Sequence, residues 1–192
     1  MEAFLVSTGV VALAEIGDKT QLLALVLAAR YRRPVPIILG ILVATLANHA
    51  LAGAAGAWVS AAVGPAAMRW ILGVSFIAMA AWTLVPDKLD DDGDGDVPAP
   101  RLGVFGATVV AFFLLEMGDK TQIATVALAA KYASLAGVVA GTTFGMMLAN
   151  VPAVLLGDVA AKKLPMHVVH RIAAAIFLVL GVTVLLGYGQ LS

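Results

Sequence analysis

Apolar residues run through this chain in long stretches, at about 3–29, 35–60, 67–86, 102–130, 135–160 and 170–188, separated by short clusters of charge, Gly and Pro. A helix needs about 20 apolar residues to cross a bilayer, and the stretches are of that order. They are continuous rather than alternating, which predicts helices and not barrel strands. The expected class is therefore an all-α membrane protein of six transmembrane helices. The N-terminus, Met-Glu-Ala-Phe-Leu-Val, has no basic n-region, and its apolar run outlasts a signal peptide, so it is expected to remain as the first span.

Composition agrees with this pattern. Hydrophobic residues make up 61% of the 192 and charged residues 12%, with a mean hydropathy of +0.99, well beyond a water-soluble mixture. Six short-looped spans leave no room for a separate soluble domain. Net charge is zero, so no broad basic field points to nucleic acid. With no cysteine, disulfides, thiolate metal sites and cysteine nucleophiles are excluded.

The one long connection is Asp87-Lys-Leu-Asp-Asp-Asp-Gly-Asp-Gly-Asp96, followed by Val-Pro-Ala-Pro, an acidic, turn-rich linker. Asp90, Asp92, Asp94 and Gly95 imitate the start of an EF-hand loop. Pro98 and Arg101 stand at its ninth and twelfth positions, however, where an EF-hand needs a ligand and a bidentate Glu. The linker divides the chain into a three-helix unit at 1–86, a connector at 87–101 and a second unit at 102–192.

The two units are copies. Adding 101 carries Glu15, Gly17, Asp18, Lys19, Thr20, Gln21, Tyr31 and Gly40 onto Glu116, Gly118, Asp119, Lys120, Thr121, Gln122, Tyr132 and Gly141. After a one-residue insertion Leu46-Ala47-Asn48 meets Leu148-Ala149-Asn150, and Arg69 meets Arg171. Each unit crosses an odd number of times, so the second copy is expected to run in the opposite sense, giving an inverted repeat of the kind that alternating-access transporters use. Arg30, Arg32, Arg33, Lys88, Arg101, Lys162, Lys163 and Arg171 fall on one side and Arg69 and Lys131 on the other. The positive-inside rule makes the first side cytoplasmic, with the acidic linker there and both termini outside.

The chemistry lies in the doubled Glu-x-Gly-Asp-Lys-Thr, set within the first and fourth stretches. Ionisable groups at bilayer depth are costly, and by default they are functional. On a continuous helix Glu15, Asp18 and Gln21 form one stripe, and Glu116, Asp119 and Gln122 repeat it. Inversion brings the stripes together into a site of four carboxylates, supported by Thr20, Thr121 and, in the second span of each unit, Asn48 and Asn150, which serve equally well as interhelical hydrogen-bonding groups. Hard divalent cations such as Ca²⁺ and Mn²⁺ prefer that oxygen set. Gly17 and Gly118 are candidate hinges, allowing close approach or a local break. Lys19 and Lys120 follow Glu15 and Glu116 by four residues, the favourable order for an ion pair within one helix. With both lysines facing the cavity, four carboxylates and two ammonium groups leave a charge that one divalent cation or two protons neutralise, which suggests exchange of one for the other.

Other polar residues carry weaker expectations. His49 suits either a proton shuttle or helix packing, and has no counterpart in the second unit. His167 and His170 read as loop or interfacial residues, and Asp158 as an ion-pair partner of Lys162.

With Glu-x-Gly-Asp-Lys-Thr in spans one and four of a six-span chain, the sequence resembles, over essentially its whole length, the Ca²⁺/Mn²⁺:cation antiporter family of Golgi manganese transporters and their bacterial and chloroplast relatives, within the lysine-exporter superfamily. The resemblance implies that Glu15, Asp18, Glu116 and Asp119 coordinate the cation, and that Mn²⁺ or Ca²⁺ is the transported substrate, moved out of the cytoplasm with protons as counter-ion. It implies a transporter rather than an enzyme, no resident cofactor, and a bacterial inner membrane location. An exporter of a cationic amino acid on the same scaffold is the main alternative; a membrane-embedded hydrolase finds no serine or cysteine nucleophile near the motifs.

Overall fold

The computed structural model describes residues 1–85, 102–156 and 166–187, and the described residues form eight helices. These are α1 (Glu2–Glu15), α2 (Lys19–Tyr31), α3 (Pro34–Ala62), α4 (Pro65–Thr83), α5 (Gly103–Glu116), α6 (Lys120–Lys131), α7 (Leu135–Leu156) and α8 (Met166–Leu185). Proline in the first turn opens α3 and α4, where a missing N–H is harmless. Pro34–Ala62, Ala66–Thr83, Leu135–Leu156 and His167–Leu185 are long and apolar enough to cross a membrane.

The first and fourth stretches, expected as continuous spans, are each two short helices of 12 to 14 residues, which at 1.5 Å per residue are only about 20 Å long. The cause lies in the motif itself. Ile16 and Met117 leave the helix with ψ of 117° and 121°. Gly17 and Gly118 turn the chain at φ of 84° and 77°, and the next residue, Asp18 or Asp119, restarts a helix as its N-cap.

Polarity is arranged inside out. Leu51, Trp58, Val74, Leu114 and Val179 are exposed, while Glu15, Asp18, Glu116, Asp119 and Lys120 are buried. Charged side chains are almost never buried in water-soluble proteins unless paired, and an apolar exterior of this kind suits lipid. This is an integral membrane protein.

The halves are interlaced. The first helix of each packs on the long helix of the other, α1 on α7 and α5 on α3, while α4 and α8 pack on each other and α3 touches α7. Small residues permit the approach: a Cβ on Gly40 would meet Thr108 Cβ at 2.7 Å, and one on its equivalent Gly141 would meet the Phe4 carbonyl at 2.5 Å. Both contacts advance in register. Gly141 faces Phe4 and Gly145 faces Thr8; Gly40 faces Phe105, and Asn48 donates to the Phe113 carbonyl. Residue numbers rise together in each case, so α1 runs parallel to α7, and α5 to α3. Phe76 stacks on Phe177 and Gly73 faces Leu185, so α4 and α8 run antiparallel.

Candidate cation site

The two breaks bring three carboxylates together. Oxygens of Glu15, at the end of α1, and of Asp18 and Asp119, the N-caps of α2 and α6, lie within 4.8 Å of one another, all buried. The continuous stripe of Glu15, Asp18 and Gln21 expected from periodicity is absent, as is that of Glu116, Asp119 and Gln122, because each helix stops inside the motif. The break instead gathers Glu15 and Asp18 with the Asp of the other half.

Each lysine crosses to the opposite half. Lys19 Nζ lies 2.9 Å from Asp119 Oδ1, and Lys120 Nζ lies 3.4 Å from Asp18 Oδ2. The Glu15–Lys19 pair expected from four-residue spacing does not form: the spacing rule needs an unbroken helix, and both Glu15 oxygens are buried without a hydrogen-bond partner among the described residues. The two lysines differ in access, with the Lys19 side chain 27% exposed and that of Lys120 1%.

Glu116 stands apart from its counterpart. His49 Nε2 is 3.2 Å from Glu116 Oε1, though not aligned as a hydrogen bond. Asn48 Nδ2 and Thr45 Oγ1 donate to Glu116 Oε2 at 3.4 and 3.5 Å. Among the described residues, Glu116 Oε2 thus has two hydrogen-bond donors, where neither Glu15 oxygen has one. His49 thus lies beside a motif carboxylate.

The supporting residues hold the breaks. Gln21 Oε1 accepts from the Gly17 N–H at 2.9 Å, and Gln122 Oε1 from the Gly118 N–H at 2.7 Å. Both amide groups reach into the other half, Gln21 to the Ala149 carbonyl at 3.0 Å and Gln122 to Asn48 Oδ1 at 3.3 Å. Thr121 donates its N–H and hydroxyl to Asp119 Oδ2, and the Lys19 N–H caps onto Asp18 Oδ1 at 2.7 Å. The buried Thr20 hydroxyl and Asn150 Oδ1 have no hydrogen-bond partner among the described residues, although Asn150 Nδ2 donates to the Met146 carbonyl and thioether. The parallel register of α1 and α7, Gly141 on Phe4 and Gly145 on Thr8, carries forward to put Asn150 level with the last turn of α1, which ends in Glu15.

His170 is a contact that periodicity gave no sign of. It lies within α8, and its Nε2 is 3.1 Å from the Ile16 carbonyl at the first break. Away from the breaks, Tyr132 donates its hydroxyl to Glu2 at 3.2 Å, tying the end of α6 to the start of α1. Burial, then the charge and hydrogen bond of Glu2, push the Tyr132 phenol up to about 12. Neighbouring Lys131 sits 5.2 Å over the Tyr132 ring, and burial lowers its pKa against the opposing pull of Glu2. The acidic linker, Lys88, Arg101, Asp158, Lys162 and Lys163 lie outside the described residues.

The model of a family described as "Divalent cation/proton antiporter GDT1" matches residues 3–91 and 104–190. A protein of Vibrio cholerae serotype O1 named "Putative manganese exporter" is 51% identical over 181 residues, covering 94% of this chain and 88% of its own length. No solved structure matches the chain.

Proposed function

The chain belongs to the divalent cation/proton antiporter GDT1 family, and from that premise we propose that it exports Mn²⁺, with Ca²⁺ as a second substrate, from the cytoplasm in exchange for protons. The observation that carries the reading is the convergence of Glu15, Asp18 and Asp119, from both halves of the chain, to within 4.8 Å. Three carboxylate groups offer the hard, anionic oxygen donors that Mn²⁺ and Ca²⁺ take, without the imidazole or thiolate that zinc and copper favour. The relative's name supplies the metal and the outward direction. The family's description favours a divalent ion over a cationic amino acid, and transport over hydrolysis.

The cation is held at a place where backbone polarity changes sign. The C-terminal end of α1 brings partial negative charge beside Glu15, and the N-caps of α2 and α6 present their aspartates rather than bare N–H groups. Asn150 Oδ1 and the Thr20 hydroxyl, both buried and without a hydrogen-bond partner among the described residues, complete the shell. Glu116, already surrounded by His49, Asn48 and Thr45, is assigned to the proton rather than to the metal. Alternating access then moves the two broken segments relative to α3 and α7, with Gly17 and Gly118 as the flexing points.

Six spans as two inverted three-helix repeats fit the packing. Equivalent helices in two halves of the same sense would place α1 antiparallel to α7, since each span reverses the last; their parallel run is what inversion requires. The basic residues Arg30, Arg32 and Arg33 then mark the cytoplasmic side of a bacterial inner membrane, with both termini outside.

Flux of radioactive Mn²⁺ in proteoliposomes tests this. Parent protein is expected to move Mn²⁺ faster when protons are driven the opposite way, and Glu15→Gln, Asp18→Asn and Asp119→Asn to stop it. Undiminished flux in all three variants rules out the site; flux indifferent to the gradient rules out proton exchange.

A further inference from the structure

The crossed lysines carry a second consequence, which rests on the cation site proposed above. We infer that Lys19 and Lys120 are tethered counter-cations: in the unloaded site their ammonium groups take the electrostatic place of the substrate, and the divalent ion enters by displacing them.

Charge balance and geometry both lead there. Three carboxylates crowded within 4.8 Å and buried from water repel one another unless positive charge is supplied. Lys19 and Lys120 supply it at 2.9 and 3.4 Å. Two ammonium groups carry the same charge as one divalent cation, so either offsets the same amount of carboxylate charge in the site. The substitution is isoelectric, and the empty carrier avoids a naked anionic cluster in a low-dielectric interior.

The crossing adds a mechanical meaning. Lys19 belongs to the first half and contacts Asp119 of the second, and Lys120 does the reverse. Displacing a lysine therefore severs a link between halves at the moment the metal creates another. The order of release follows from access: the Lys19 side chain is 27% exposed and that of Lys120 1%. Lys19 yields first in this conformation, and the cation approaches from its side.

Full-length protein in detergent provides the test, with Mn²⁺ binding followed by calorimetry and Lys19 accessibility by acetylation and mass spectrometry. Lys19→Gln is expected to bind Mn²⁺ about tenfold tighter than the parent, equivalent to about 1.4 kcal/mol, while Lys19→Arg, which keeps the charge, stays near the parent value. In the parent, Mn²⁺ is expected to raise acetylation of Lys19 severalfold, a readout that needs no variant to fold. Weaker or unchanged binding in a Lys19→Gln protein that melts like the parent overturns the inference, as does acetylation that Mn²⁺ leaves flat or lowers. A parent that binds neither Mn²⁺ nor Ca²⁺ overturns the cation site and this inference with it; a parent that binds while Lys19 fails both readouts overturns this inference alone.

Discussion

His49 Nε2 stands 3.2 Å from Glu116 Oε1, with both side chains fully buried. Glu15 holds the same position in the first half, and the second-half residue aligned with His49 is Val151. Replacing His49 with Ala removes a fully buried side chain beside Glu116 and is expected to lower the melting temperature in detergent. His49→Gln keeps a polar group of similar reach but cannot take up a proton. Its Mn²⁺ flux is expected to lose acceleration by a proton gradient while metal-for-metal exchange continues. Gradient sensitivity equal to the parent's would remove His49 from the proton path.

The division of labour between the glutamates has its own signature. Mn²⁺ at 100 times its dissociation constant stabilises a protein that binds it only when folded by about 2.7 kcal/mol. Glu15→Gln is expected to abolish that protection, because its bare oxygens face Asp18 and Asp119. Glu116→Gln is expected to retain most of it and to impair proton-driven flux instead. Equal loss of protection in both variants would return Glu116 to the metal shell.

Gly118 separates backbone strain from packing. A Cβ there meets nothing within 4 Å, yet φ is +77°, a region that costs an L-residue about 1–2 kcal/mol. Gly118→Ala is expected to destabilise by that amount with no steric clash to blame. Gly9, inside α1 and equally open, is the control: Gly9→Ala is expected to gain about 0.5–1 kcal/mol from helix propensity. Similar effects at the two positions, read as melting temperatures in detergent, would mean that the break is not held by glycine.

Tyr132 governs the behaviour of its end of the molecule at high pH. Folding raises its pKa from 10.0 to about 12, so its contribution is complete below pH 10 and is lost as pH climbs through about 12. Thermal stability of the parent is expected to fall across that interval more steeply than that of Tyr132→Phe. Parallel pH curves for the two proteins would show that the fold does not favour the protonated phenol.

Much of this molecule is legible in the amino-acid order. Long apolar runs located α3, α4, α7 and α8 to within a few residues at the described ends, because burial in lipid selects on average polarity, which a window measures well. The doubled motif identified the residues that meet. Their geometry was hidden because Ile16, Gly17 and Asp18 leave the helix within three residues, too few to disturb a hydropathy average, and every pairing rule for helices presumes an unbroken one. The Lys19–Asp119 contact depends on how two breaks face each other, which no local spacing encodes. The unequal glutamates did leave a trace: His49 aligns with Val151, and Thr45 aligns with Met146 or Met147 on either side of the insertion. Differences between copies, as much as identities, carried the information about which carboxylate keeps polar company. His170 left no trace of this kind, its partner being a backbone carbonyl.

The interlacing of α1 with α7 and of α5 with α3 also constrains how the protein is made. When the first half leaves the ribosome, the helix against which α1 will lie has not been synthesised, and Asp18 enters the bilayer before Lys120 exists to balance it. The early chain must therefore wait, with polar groups held by water, lipid headgroups or insertion machinery, until the second half arrives. Each half by itself lacks the helix and the lysine that the other supplies. A gene encoding one of them alone would yield a segment lacking both its packing surface and its neutralising charge, and quality control would meet it as an orphan subunit.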